Sequence, residues 1–251
     1  MSHKPVALIT GASYGVGAQT AIDFSNLGFD VVLTARTLDN LDAIKSTLLS
    51  KHVSPLCLTL NLEDQHSIDN LTHDIDQHFH RLDVLVNNAG ANVRELAIDV
   101  TEDQWDSVFN TNLKGTFFLT QAVAKYMIDK KIHGNIVNVA SVHGLQGALE
   151  RSTYGISKAG LIQMTKMLAI EWAQHSIRVN AVAPGRLMTD SPSRSKTSNN
   201  AEYMKAMLAK IPLHRLATVE EVSAAIVFLA SASAASITGQ TMVLDGGLTV
   251  S

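Results

Sequence analysis

Cysteine is nearly absent: Cys57 is the single one in 251 residues, so no intramolecular disulfide can form. Its run Pro55-Leu56-Cys57-Leu58-Thr59-Leu60 reads as buried packing rather than redox or metal chemistry. No stretch approaches the roughly 18 uninterrupted apolar residues of a membrane span. The start, Met1-Ser2-His3-Lys4-Pro5, runs into an apolar strand without a signal-peptide layout, so the expected location is the cytoplasm, with no membrane contact. Long Lys/Arg blocks are also missing and the formal net charge is -3, which speaks against nucleic acid as a partner. Histidines number 10, but the densest group, His73, His78 and His80, sits among Asp74, Asp76 and Gln77 on a polar helix face. Metal sites need ligands converging in a buried shell, so no metal is expected.

What the chain does have is apolar mass. At 46% hydrophobic, it can build a substantial core for one domain spanning residues 1–251. Short aliphatic or β-branched runs recur at Val6 to Thr10, Val31 to Thr34, Leu56 to Leu60, Val84 to Asn87, Ile136 to Ala140, Ile177 to Val182 and Thr241 to Leu244. Between them lie amphipathic stretches at Val16 to Leu27, Leu38 to Leu49, Gln65 to Phe79, Glu102 to Asp129, Thr153 to Gln174 and Val219 to Leu229. This rhythm, with strands apolar at nearly every position, predicts an α/β fold: a doubly wound parallel sheet with helices on both faces. The Ser-, Thr- and Asn-rich stretch Thr189 to Asn200, followed by a brief helix from Ala201 to Lys210, breaks the rhythm and predicts a substrate loop or lid at about 188–210. The helix around Met164 is apolar around most of its circumference, through Ile156, Leu161, Ile162, Met167, Leu168 and Ile170, and this predicts subunit association through it.

Two places carry chemistry. Thr10-Gly11-Ala12-Ser13-Tyr14-Gly15-Val16-Gly17 joins the first strand to the first helix, where glycines allow a tight turn and the helix N-terminus favours a pyrophosphate. After the second strand, Ala35 and Arg36 stand where a dinucleotide fold often has an acidic residue for the ribose. A guanidinium grips a 2′-phosphate that an aspartate would repel, so NADP(H) is preferred over NAD(H), with Arg36 discriminating and Ser13 and Thr37 assisting. The second place is Tyr154 and Lys158, four residues apart and on one helical face. A cation beside a phenol favours the phenolate and makes proton transfer with a carbonyl oxygen feasible. Ser141, beyond the strand Asn135 to Ala140, points toward the same crevice, while Asn112 taken alone reads as a helix-interior amide and gains weight only together with the other motifs.

The glycine loop, Asn87-Asn88-Ala89-Gly90, Asn112, Ser141, the Tyr154/Lys158 pair, Val179 to Gly185 and the late Ile237-Thr238-Gly239 and Asp245-Gly246-Gly247 stand in the order of the short-chain dehydrogenase/reductase superfamily. The chain resembles that family over nearly its whole length, and within it looks most like bacterial 3-oxoacyl-(acyl-carrier-protein) reductases. The resemblance implies a seven-stranded sheet and a homotetramer. It implies Tyr154 as proton donor, Ser141 as hydrogen-bond donor to the carbonyl, Lys158 as ribose and phenolate partner, and Asn112 as support for a water relay. Cofactor contacts would fall on Gly11, Ser13, Tyr14, Gly15, Val16, Gly17, Arg36, Thr37, Asn61, Leu62, Asn88, Ala89, Gly90, Tyr154, Lys158, Pro184, Gly185, Leu187 and Thr189. Asn61 replaces an acidic residue common in the family, and Tyr14 a frequent Arg or Lys.

The leading expectation is NADPH-dependent reduction of a ketone of 3-oxoacyl or β-keto type, possible on a carrier protein. An NAD(P)-dependent alcohol or polyol dehydrogenase and a non-catalytic nucleotide-binding scaffold are the alternatives. Pocket-wall candidates are Ala91, Asn92, Arg94, His143 to Arg151, Leu187 and Met188. Arg94, His143 or Arg151 could hold an anionic group, and Lys130, Lys131 or His175 could dock a carrier protein near the mouth.

Overall fold

In the computed structural model the described residues are 4–187 and 201–251. In chain order the elements are β1 (Val6–Thr10), α1 (Gly15–Asn26), β2 (Asp30–Ala35), α2 (Asp42–Ser50), β3 (Leu56–Thr59), α3 (Gln65–Phe79), β4 (Val84–Asn87) and α4 (Glu102–Phe109). They continue with α5 (Thr116–Asp129), β5 (Asn135–Val139), α6 (Ser152–Trp172), β6 (Arg178–Pro184), α7 (Ala201–Leu208), α8 (Val219–Ala230) and β7 (Thr241–Leu244). The expected strands all form. Leu38–Leu41 coils as a 3₁₀ turn before α2, and Ala173–His175 does so after α6.

The seven strands make one parallel sheet in the order β3-β2-β1-β4-β5-β6-β7. Ala7 to Ile9 of β1 align with Val31 to Leu33 on one side and Val84 to Val86 on the other. The strand order reverses between β1 and β4, and ligands of such sheets gather beyond the carboxyl ends at that switch. All five residues of β1 are buried because both faces are covered. One face packs Leu71, Leu119, Leu161 and Leu168 from α3, α5 and α6. The other packs Phe24, Ile44 and Ile226 from α1, α2 and α8.

Two expectations are corrected. Cys57 is half-buried, not buried, because β3 is an edge strand; partial burial still pushes its thiol pKa up. The helix expected from Glu102 to Asp129 is interrupted by a π turn at Asn110–Gly115, where the Thr116 hydroxyl donates to the Thr111 carbonyl at 3.0 Å. At its end the chain passes close to the loop after β3: a Cβ on Gly115 would lie 1.9 Å from the Leu62 carbonyl oxygen, so only glycine allows the approach. The part of the expected lid at 188–200 lies outside the described residues, as do Met188 and Thr189; its remainder contains α7.

Candidate active site

The turn after β1 is shaped by what a side chain would block. Gly11 and Gly15 have φ of +62° and +61°, a region that suits glycine. A Cβ on Gly17 would stand 2.5 Å from the Gly11 carbonyl and 2.6 Å from Asn88 Nδ2. Asn88 Nδ2 donates to the Thr10 and Gly11 carbonyls at 3.0 and 2.9 Å, while Thr10 Oγ1 accepts from the backbone N–H of Asn88 and of Ala89, both at 3.0 Å. Asn88 thus braces the loop. In the sequence Thr10 stands in the loop without a role, although a hydroxyl at a strand end before glycine is a usable signal.

Helix α1 opens without a side-chain cap, as α2, α5 and α6 do, but at the end of a glycine turn. Thr101 and Thr218 close the starts of α4 and α8 with reciprocal capping boxes, and the Asp64 side chain caps α3. Tyr14, extended before α1, supplies no side-chain cap, and the first turn of α1 holds no acidic residue. Its leading N–H groups and partial positive charge are therefore left without a side-chain acceptor from the cap, which suits an anion. Arg36, exposed just after β2, makes no hydrogen bond or ion pair among the described residues; Thr37 beside it is exposed too. Ser13 is half-buried and Val16 buried in the loop wall. Asn61 closes its own turn, its Oδ1 accepting from Glu63 N–H at 3.1 Å, and Leu62 is buried behind it. These features fit a dinucleotide: glycines where a Cβ would fill the cradle, uncapped helix donors and a cation at the ribose end.

The second half converges on Gly90. A methyl placed there would sit 3.1 Å from Asn112 Oδ1 and 3.6 Å from Lys158 Nζ. Asn112, fully buried in the π turn, grips the next residue: its Oδ1 accepts from Ala91 N–H at 2.7 Å and its Nδ2 donates to the Ala91 carbonyl at 2.9 Å. Nδ2 also donates to Ser157 Oγ at 3.0 Å, and that hydroxyl donates to the Tyr154 carbonyl at 2.8 Å. Ser157 is a site residue that the sequence motifs did not single out; its place between the tyrosine and the lysine is the only signal.

Lys158 is 4% exposed, and its ammonium donates to the Val139 carbonyl at the end of β5 at 2.7 Å. Burial lowers its pKa to about 8. The ammonium lies 5.8 Å from the centre of the half-buried Tyr154 ring. Ser141 follows β5, and its Oγ accepts from His143 N–H at 3.2 Å, which leaves the hydroxyl proton directed elsewhere. This turn is pressed on α6: a Cβ on Gly144 would lie 2.8 Å from the Lys158 carbonyl carbon, and one on Gly155 2.8 Å from the His143 carbonyl oxygen. Gly185, after β6, donates its N–H to the Leu244 carbonyl at 2.9 Å, next to buried Pro184. Leu187 is buried and bridges to Ala217.

Two groups of polar expectations need correction. Lys130 and Lys131 end α5, just before β5 begins, and His175 precedes β6, so all three stand at the amino ends of the strands, opposite Ser141. Lys130 is moreover paired with Asp76 at 2.8 Å. They do not border the mouth in this chain. Arg94 and Arg151 do stand beside the site, but Arg94 pairs with Glu150 and Arg151 Nη1 donates to Asn92 Oδ1 at 2.7 Å.

The arrangement defines a class. A family profile described as enoyl-(acyl carrier protein) reductase matches residues 11–249, and the chain belongs to the short-chain dehydrogenase/reductase family of NAD(P)-using oxidoreductases. Among particular relatives, the 3-oxoacyl-(acyl-carrier-protein) reductase FabG of Thermotoga maritima is 42% identical over 247 residues, covering 98% of each chain. The 2-dehydro-3-deoxy-D-gluconate 5-dehydrogenase of Dickeya dadantii is 34% identical, covering 96% of this chain and 94% of its own. A solved structure of a Phe-to-Trp variant of actinorhodin polyketide ketoreductase with NADPH superposes with a TM-score of 0.93 at 31% identity, covering 99% of this chain and 98% of that one. No helix among the described residues is long and apolar enough to cross a membrane.

Proposed function

We propose that the protein is an NADPH-preferring reductase of ketones of 3-oxoacyl or related β-keto type. The observation that carries this reading is the convergence of Asn112 and Lys158 on Gly90, with Tyr154 one turn before Lys158 on the same helix and an uncapped glycine-loop helix in the same fold. Gly11, Gly15, Val16 and Gly17 would hold the pyrophosphate, Asn61 and Leu62 the adenine side, Ala89, Gly90, Pro184, Gly185 and Leu187 the nicotinamide side, and Arg36 a 2′-phosphate. The bound dinucleotide supplies the hydride. Ser141 donates a hydrogen bond to the substrate oxygen, and Tyr154 delivers a proton to that oxygen as negative charge develops on it. Below about pH 8 the Lys158 ammonium stays charged and favours the phenolate left on Tyr154. Asn112 acts by holding Ala91 and, through Ser157, the turn that bears Tyr154. The Thermotoga relative and the NADPH-bound ketoreductase support this reading.

The Dickeya relative supports a second one, NAD(P)-dependent oxidation of a sugar-acid alcohol. A panel run with both cofactors separates them: acetoacetyl thioesters and β-ketoesters in one direction, polyols and sugar acids in the other. The proposal expects thioester or ketoester reduction, faster with NADPH. Strong sugar-acid or polyol oxidation with inert thioesters would reverse the order. The reading includes a homotetramer. Ile156, Met167 and Ile170 on α6 are exposed, the last at 77%, and Trp105 and Phe118 are partly so. A cavity of about 720 Å³ opens between α6 and Gln240 beside β7. A second copy covers such a face; sedimentation at the mass of one chain would remove this element.

A further inference from the structure

The mouth of the site is closed on one side by a polar strap. Asn112 fixes Ala91 through both backbone groups, and the next residues, Asn92 to Glu95, run against the segment that opens α6. Three links join them. Arg151 Nη1 donates to Asn92 Oδ1 at 2.7 Å, Glu95 and Arg151 form a parallel backbone bridge, and Arg94 Nε donates to Glu150 Oε2. The Arg151 carbonyl accepts from Gly155 N–H at 2.7 Å, which ties the strap to the helical turn of Tyr154. Glu150 takes part with φ of +60°, a backbone conformation that a side chain other than glycine rarely adopts. Around the strap several large apolar side chains are exposed, Leu96, Ile98, Leu145 and Leu149, the second at 89% and the last at 79%, beside exposed Asn92, Arg94 and Asp99.

We infer that Glu150 sets the charge specificity of the entrance: paired with Arg94, it offsets a guanidinium beside the mouth and so favours neutral carbonyl compounds over those with a free carboxylate. The inference rests on the reductase reading of the site. An arginine in a carboxylate's grasp is a poor anchor for a second carboxylate, because the incoming anion must displace one already bound and is repelled by it. Arg151 is held on neutral Asn92, which fixes its direction and leaves Glu150 as the carboxylate that offsets charge in the strap. The apolar rim then meets the alkyl part of the substrate.

Acetoacetate and ethyl acetoacetate present the same reacting ketone and differ in one charge. Wild-type protein is expected to favour the ester in kcat/KM. Glu150→Gln should raise kcat/KM for acetoacetate by about fivefold, the scale of one exposed ion pair, and leave the ester within about twofold. Arg94→Gln uncovers the Glu150 charge and should move acetoacetate the opposite way. Both shifts should shrink at high salt, where exposed charges are screened. Equal use of the two compounds by wild-type protein overturns the inference, as does a Glu150→Gln variant that lowers both alike, which is what a purely structural strap would do. If wild-type protein turns over the ester with neither NADPH nor NADH, the reductase reading itself fails and the inference falls with it.

Discussion

Replacing Lys158 by methionine should make the unliganded protein more stable at neutral pH. Burial moves the ammonium pKa from 10.5 to about 8, which corresponds to about 3 kcal/mol against holding the charge in the folded state. The native lysine loses its proton near pH 8 and the unfolded one near 10.5. Between those values the unfolded chain binds more protons, so the wild-type penalty is full below pH 8, fades as pH rises and is gone above 10.5. Methionine fills a similar volume without charge but leaves the Val139 carbonyl without its 2.7 Å partner, a loss of about 1 kcal/mol. The net expectation at pH 7 is a gain of about 2 kcal/mol, or about 4–8 °C in melting temperature for a chain of this size. Urea denaturation of both proteins without cofactor, at one chain concentration and from pH 7 to about pH 10, reads the difference. The advantage should shrink through that range and be close to zero at its upper end, where the remaining charge penalty and the lost hydrogen bond are both about 1 kcal/mol. A Lys158→Met protein that is less stable at pH 7, or a difference that ignores pH, would refute the idea that this ammonium is held at a cost.

Gly115→Ala should destabilise by about 3 kcal/mol, because its Cβ would lie 1.9 Å from the Leu62 carbonyl oxygen and either the π turn or the loop after β3 must shift. An unchanged melting temperature would mean that this contact is not a constraint. Arg36→Ala should raise KM for NADPH about tenfold, the scale of one charge-assisted hydrogen bond, and leave KM for NADH unchanged. Equal effects on both cofactors would remove Arg36 as the discriminator.

The fold was legible because parallel strands covered on both sides have to be apolar at nearly every position, and Val6 to Thr10 or Val84 to Asn87 offer no other reading. The π turn was not legible, since no proline marks Asn110 to Gly115 and the Leu62 carbonyl that Gly115 passes lies more than fifty residues away. The same holds at the site. Motif order singled out Asn112, Ser141, Tyr154 and Lys158, but not that Asn112 acts on Ala91 and Ser157, because hydrogen-bond partners distant in sequence leave no periodic trace. Arg94 looked like a ready anion anchor until the fold brought Glu150 to it. Lys130 and Lys131 read as mouth residues only while the direction of β5 was left out of account.

The most direct measurement is turnover of a β-ketoester by Tyr154→Phe protein, with NADPH affinity followed by fluorescence in parallel. Deleting only the hydroxyl should lower kcat by about 10²–10⁴-fold, the scale of one general acid, while the cofactor binds within about twofold of wild type. Near-normal turnover would contradict the claim that this phenol gives the proton.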